Sequence, residues 1–396
     1  MFRYNPNILV YTSITLVVLL LSVFFVSLAG TETIIERFTW YNYAFIYVFL
    51  NIIFITGYYN LKRNEPNYAS WFMIALFCIF ACWSADYISL GESFLNMNID
   101  TEYKDFLYPY LSVISFKSYN LFRFFIWGTA TFLVFKLAKE YKVKTNVMAF
   151  VFPIIFLLLF SYARASLAMA LYFTGLTYLL KRGVVKGFAP SIIFFIIAFT
   201  AHRSMLILIA ITPLAFIKLT KQKLFIIIPL MIIASLSLNY FATSFLDSDT
   251  LQEESFQSFN KSGNSYLNNT NTISYNWKFG LITLLQNCSF IFINLYLIWK
   301  IIVKKVPVHD YIRKLLTLTT IITLLASAFL FNGFISNVNG LNVVGYRFLF
   351  MTGIPLSIIL SYCYTYKICN TSTLFKVLSF SIIYSEFYIF GKLISI

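Results

Sequence analysis

The chain has 396 residues, of which 60% are hydrophobic and only 11% are charged, and its mean hydropathy is +0.78. A composition this apolar excludes a water-soluble protein and is typical of helices that cross a lipid bilayer. The formal net charge of +15 does not indicate nucleic-acid binding, because most of the basic residues flank apolar segments, where anionic lipid attracts them.

The apolar segments predict an all-α, polytopic integral membrane protein with about thirteen transmembrane helices, forming a single transmembrane domain over residues 1–396. A helix needs about 17 to 25 apolar residues to cross a bilayer. In chain order, the predicted spans are 8–28, 41–59, 71–86, 119–137, 146–162, 165–180, 188–201, 204–217, 224–241, 278–299, 315–332, 348–366 and 373–391.

Charged residues are sorted between the loops that join these spans. Most of the 30 Lys and Arg fall in the N-terminal tail and in every second loop, whereas most of the 15 Asp and Glu fall in the intervening loops. By the positive-inside rule, the basic loops are cytoplasmic. The prediction is an N-terminus inside, a C-terminus outside and two long outer loops, which are approximately 87–118 and 242–277.

A few arginines lie on the acidic, outer side against this rule. Arginine holds a phosphate group through a planar fork of donors, which lysine lacks. Because they occupy the outer ends of separate helices, four of these arginines predict one outward-facing pocket for an anion such as pyrophosphate: Arg123, Arg164, Arg203 and Arg347.

The strongest local pattern starts at Arg164, which opens a helix with small residues at 165, 168 and 170 that permit close helix packing. One predicted hairpin later, His202 and Arg203 lie between two apolar stretches. A histidine at membrane depth is costly unless it has a partner or a task, and a neutral imidazole can accept a proton from a hydroxyl. His202 is therefore a candidate general base. The alternative is a hairpin tip that simply faces water.

The acidic candidates are Asp86, at the outer end of a span, and Glu386, inside an apolar span. For Glu386 a structural salt bridge is as plausible as catalysis. Asp105, in the first long loop, is a further candidate if His202 is not the base. An Asp-x-Asp pattern at 247–249 resembles that of metal- and nucleotide-sugar-dependent transferases, but it lies in an outer loop and is not favoured. We expect no metal site and no cofactor, because neither metal-ligand spacing nor a phosphate-binding glycine motif is present.

The run from Arg164 to Ala170, the basic pair Lys181-Arg182 and the stretch from Ala198 to His202 resemble the EpsG family. This family is grouped with the Wzy-type polysaccharide polymerases of bacteria. Arg347, which precedes an aromatic-rich span, is similar to a late arginine of the family. Asp86 resembles an early family aspartate, although the glycine expected two positions before it is missing.

The resemblance implies a glycosyltransferase of the bacterial inner (plasma) membrane with its active site facing the periplasm or exterior. Its substrate would be an oligosaccharide repeat unit on undecaprenyl pyrophosphate, and a chain-length regulator is a candidate protein partner. Two alternatives stay open. A flippase for the same lipid would carry charged residues along a path through many spans, and a membrane acyltransferase would need access to a cytoplasmic acyl donor.

Overall fold

The computed structural model describes residues 40–80, 90–91, 93–94, 97, 105–156, 163–227, 229, 233, 277–336, 345, 347–379 and 381–383. Every regular element in this part of the chain is helical, which confirms the predicted all-α class. The first predicted span, 8–28, and nearly all of the predicted loop 242–277 lie outside the described residues.

Where the structure describes them, most helices follow the predicted spans closely. In chain order they are α1 (Trp40–Arg63), α2 (Tyr68–Phe80), α3 (Leu107–Ile114), α4 (Tyr119–Glu140), α5 (Thr145–Phe156), α6 (Ala163–Ala201), α7 (Met205–Ile211) with a 3₁₀ turn (Thr212–Phe216), α8 (Trp277–Ile298) with a π turn (Trp299–Val303), α9 (Asp310–Ser336) and α10 (Gly353–Thr365). Shorter helical segments cover 221–227, 347–351 and 371–379.

Among the described residues, three helical stretches are long and apolar enough to cross a membrane: Tyr119–Glu140, Arg164–Ala201 and Asp310–Leu330. Shorter apolar helices accompany them. These helices support the membrane assignment, and the number of thirteen spans stays a prediction.

One compact unit comprises Met1–Thr212 and Ser357–Ile396. Within it, α4 packs against both α2 and α6. The α2 face is aromatic, with the ring centroids of Phe77 and Trp127 lying 4.9 Å apart at a steep angle. On the other face, the Tyr141 and Thr177 hydroxyls lie 3.0 Å apart, at hydrogen-bonding distance. Because both residues are buried, this hydrogen-bonded pair satisfies two hydroxyl groups that would otherwise be costly to bury.

The helix α6 is a hairpin of two antiparallel segments, 163–182 and 184–201. Gly183 separates them with φ 77° and ψ 168°, a backbone conformation that only glycine adopts readily. The two segments pack closely, since the Ser191 hydroxyl donates to the Gly175 carbonyl at 2.7 Å and the rings of Tyr172 and Phe195 stack at 5.3 Å. The geometry agrees with the two predicted spans 165–180 and 188–201.

The second compact unit comprises Pro213–Leu356, in which α8 packs against α9. Buried threonines line α9 and donate back to carbonyls one turn earlier, as Thr319 does to Leu315 at 2.7 Å and Thr323 does to Thr319 at 2.9 Å. Such bonds allow hydroxyl groups to sit inside an apolar helix without loss of hydrogen bonding.

Candidate functional site

The predicted outer loop 87–118 contains the short helix α3, which sequence reasoning missed. Pro109 lies in its first turn, where a missing N–H group is tolerated. Tyr108 is fully buried and anchors α3 in two directions. Its ring meets Phe122 of α4 edge-on at 6.1 Å, and its hydroxyl donates to the Arg164 carbonyl at 3.1 Å. The residues just before α3 are thereby fixed against the start of α6.

Asp105 lies just before α3 and is almost completely buried, with 4% of its side chain exposed. One carboxylate oxygen, Oδ2, accepts from Nη1 of Arg164 at 3.1 Å. The other, Oδ1, lies 3.7 Å from Nδ1 of His202, beyond ordinary hydrogen-bond length but close enough for a strong electrostatic contact. Asp105 thus joins the first residues of one α6 segment to the residue that follows the other.

A tight turn holds His202 in place after α6 ends at Ala201. The His202 N–H donates to the Ala198 carbonyl at 2.9 Å, and the His202 carbonyl accepts from the Met205 N–H at 3.0 Å. The chain then enters α7, whose Leu208 carbonyl accepts from the Tyr172 hydroxyl at 3.1 Å. Because both sides of the turn are bonded to α6, the position of the imidazole is set by the hairpin.

Arg203 follows His202 and is exposed to solvent. Its guanidinium carbon lies 5.6 Å from the centroid of the Phe106 ring, within cation–π range. Phe106 adjoins Asp105 in sequence, so both arginines of the hairpin meet the same short stretch of loop. We call these five residues the Asp105 cluster: Asp105, Phe106, Arg164, His202 and Arg203.

The accessible groups of the Asp105 cluster are its cations and its imidazole. The Arg164 side chain is 34% exposed and that of His202 is 25% exposed, whereas the carboxylate lies beneath them. Within the part of the chain that the structure describes, His202 Nδ1 is buried without a hydrogen bond and faces Asp105. The arrangement can hold an anion through guanidinium groups and can take up a proton on the imidazole.

The structure describes two of the four remaining predicted residues. Arg123 is buried on α4, where its guanidinium donates to the Asn120 side chain and covers the Tyr119 ring at 4.8 Å. Arg347 is exposed and belongs to the second unit. Asp86 and Glu386 lie outside the described residues. The structure therefore brings together three of the predicted residues, Arg164, His202 and Arg203, and the roles of the other four stay predictions.

Comparison with known proteins gives one match. Residues 66–395 match the model of the EpsG family, which covers most of the chain, so the protein belongs to this family of Wzy-type polysaccharide polymerase-like proteins. No curated protein and no solved structure matches the chain.

Proposed function

We propose that this EpsG-family protein is a membrane glycosyltransferase that polymerises oligosaccharide repeat units carried on undecaprenyl pyrophosphate. The Asp105 cluster would face the periplasm or cell exterior of the bacterial inner membrane. The observation that carries the proposal is the joint contact of Arg164 and His202 with one buried carboxylate at the open end of the α6 hairpin. A cation for phosphate and a base for a hydroxyl are the two groups that such a transfer needs.

In the proposed reaction, a sugar hydroxyl of the incoming lipid-linked unit attacks the anomeric carbon at the lipid end of the growing chain. The new glycosidic C–O bond forms as the bond from that carbon to the pyrophosphate oxygen breaks. The bonding electrons leave with the pyrophosphate, which stays on its lipid. The hydroxyl proton passes to His202. Pyrophosphate is already a good leaving group, so charge stabilisation by nearby guanidinium groups lowers the remaining barrier.

Four members of the Asp105 cluster have a role in this scheme. The carboxylate of Asp105 faces Nδ1 of His202, which favours a proton on that nitrogen and leaves Nε2 to accept the proton of the attacking hydroxyl. Arg203 and Arg164 would bind the pyrophosphate, and Arg164 also holds Asp105 in position. Asp105 is thus a positioning residue that acts through His202. A phosphate-binding role for Arg347 stays a prediction from the sequence.

Reconstitution tests the proposal directly. The purified protein in proteoliposomes, supplied with a lipid-pyrophosphate-linked repeat unit on the accessible leaflet, should convert it to a ladder of longer chains. A flippase would move the lipid without lengthening the glycan, and an acyltransferase would change its mass by an acyl group. A preparation that is folded and binds the lipid but produces no glycan longer than one unit contradicts the assignment.

The His202 variants test the assignment of the base. His202→Gln and His202→Asn keep one hydrogen-bonding group but cannot take up a proton, so turnover should fall by about 10²-fold or more while donor affinity stays within a factor of a few. Full turnover in either amide variant would reduce His202 to a structural residue.

A further inference from the structure

Two neighbouring cavities lie along α4, and the proposed reaction uses neither of them. The first, of about 260 Å³, is an open groove with aromatic walls and a floor formed by a glycine; its lining residues are Phe124, Phe125, Gly128, Thr129 and Phe132. The second, of about 40 Å³, lies between the last turns of α4 and the first segment of α6; its polar lining is Lys136, Glu140, Thr174, Thr177, Tyr178, Lys181 and Arg182.

The smaller cavity is cationic. Its lining carries three positive side chains and one carboxylate, which gives a formal charge of +2. The carboxylate, on Glu140, accepts from Lys181 Nζ at 2.9 Å and so compensates one of the three. The Arg182 guanidinium is held over the Tyr178 ring at 4.7 Å. A water molecule needs about 10–15 Å³, so this cavity of about 40 Å³ has room for a polar group larger than one water molecule.

The two cavities lie on one helix face. Phe132, a wall of the apolar groove, and Lys136, a wall of the cationic cavity, are four residues apart and therefore neighbours on the surface of α4. Phe132 is 66% exposed, which places an apolar ring on the outside of the bundle beside the cations. An apolar groove that continues into a cationic cavity matches a molecule with a hydrocarbon chain and an anionic head.

The depth of the cationic cavity agrees with the position of lipid head groups at the membrane surface. The first α6 segment runs from Arg164 in the Asp105 cluster to Arg182 in the cavity, which at 1.5 Å per residue is about 27 Å. The hydrocarbon core of a bilayer is about 30 Å thick. The cavity therefore lies at the membrane surface opposite the Asp105 cluster, which charge sorting predicts to be the cytoplasmic surface.

We propose that this face of α4 binds one anionic phospholipid, with the phosphate in the cationic cavity and an acyl chain along the groove. Basic pockets between helices at the cytoplasmic surface are suited to anionic head groups. The bound phosphate bridges α4 to the first segment of α6. The proposal is independent of the reaction at the Asp105 cluster.

Native mass spectrometry of the full protein in detergent, titrated with phosphatidylglycerol, tests the proposal. The wild type should retain one phosphatidylglycerol in preference to phosphatidylcholine. The double variant Lys136→Gln/Arg182→Gln should bind it at least tenfold more weakly. The matched control Lys139→Gln/Lys186→Gln removes two exposed charges from the same helices outside the cavity, and should bind within twofold of the wild type.

The groove is tested separately, without removing a charge. A Cβ at Gly128 would meet the Phe124 ring at 3.7 Å, an ordinary contact, so Gly128→Leu should fold and fill the groove. Gly128→Leu should also weaken phosphatidylglycerol binding at least tenfold. If the charge variants do not fold, the affinity of Gly128→Leu still tests the proposal. Equal affinity in cavity and control variants would overturn the site. Equal retention of phosphatidylcholine, or displacement by millimolar inorganic phosphate, would overturn its assignment to an anionic lipid.

Discussion

The substitution Asp105→Asn removes the one charge that Arg164 and His202 share, with almost no change in side-chain volume. At 3.1 Å and an effective dielectric constant of about 20, the attraction between Asp105 and Arg164 is about 5 kcal/mol before desolvation is subtracted. Loss of one partner costs about 3–5 kcal/mol for a buried pair, and an exposed pair contributes about 0–1 kcal/mol. Because the carboxylate is buried and the guanidinium is partly exposed, we expect Asp105→Asn to lower the free energy of unfolding by about 2–3 kcal/mol.

In the proposed reaction Asp105 orients the imidazole that takes the proton, so the same change should lower turnover. A positioned general base contributes about 10²–10⁴ in rate, and Asn cannot stabilise the charged imidazole. We expect a decrease of about 10²-fold in chain elongation, measured as the rate at which the ladder appears in proteoliposomes. Stability is measured as the thermal midpoint in detergent.

The control for Asp105→Asn is Asp310→Asn on α9. Asp310 pairs with Lys314 at 2.7 Å, but its side chain is 75% exposed, so its loss should cost about 0.5 kcal/mol or less and leave turnover unchanged. A double-variant cycle then tests the mechanism. If Asp105 acts through His202, adding Asp105→Asn to His202→Gln should lower turnover little further. Rate losses that multiply in the double variant would refute that dependence.

Three further predictions concern the α6 hairpin and its orientation. Arg164→Lys keeps the charge but loses the guanidinium fork, so elongation should fall at least about tenfold, and a normal ladder would mean that Arg164 serves topology only. In a background without native cysteines, Phe116→Cys should react with an impermeant maleimide in intact spheroplasts. Lys186→Cys should react only after the membrane is permeabilised. The reverse labelling would place the Asp105 cluster on the cytoplasmic side. Gly175→Leu should lower the thermal midpoint by the equivalent of about 1–3 kcal/mol, because a Cβ there would lie 2.9 Å from a ring carbon of Phe195 in the second α6 segment. Its control, Gly128→Leu, should leave the midpoint unchanged, because a Cβ there makes only an ordinary contact.

The α6 hairpin shows what the sequence was able to predict. Two apolar runs separated by a basic turn predict antiparallel helices, and the glycine at position 183 allows the reversal. Antiparallel helices of equal length return the chain to its starting depth, so Arg164 and His202 had to lie at the same end. Their proximity to each other follows from helix periodicity and length, and the arginines there were singled out because they oppose the charge sorting of the other loops.

The contacts of Asp105 with Arg164 and His202 could not be predicted from the sequence. Asp105 is 59 residues from Arg164 and 97 from His202, and no periodic pattern connects a loop residue to helices that far away. The available signal was local: Asp105 precedes an aromatic run in which Tyr108, Pro109 and Ser112 are spaced to bury one face of a helix. The long-range packing of Tyr108 against α4 and α6 then places Asp105 beside Arg164 and His202. The burial of Arg123 beside Tyr119 likewise leaves no mark in composition, and its predicted role in anion binding stays a prediction.

The charges of the Asp105 cluster also bear on the timing of the proposed reaction. With a neutral imidazole, the cluster carries a net charge of +1, because Asp105 compensates Arg164 and leaves Arg203 in excess. When His202 takes the hydroxyl proton, the sum rises to +2 as the departing pyrophosphate gains negative charge. A positive charge that grows together with the leaving group stabilises the transition state more than the bound donor, and only such a difference accelerates the chemical step. A permanent cation in place of His202 would stabilise the bound donor as well as the transition state, so less of its effect would appear in the chemical rate, and it could not accept the hydroxyl proton.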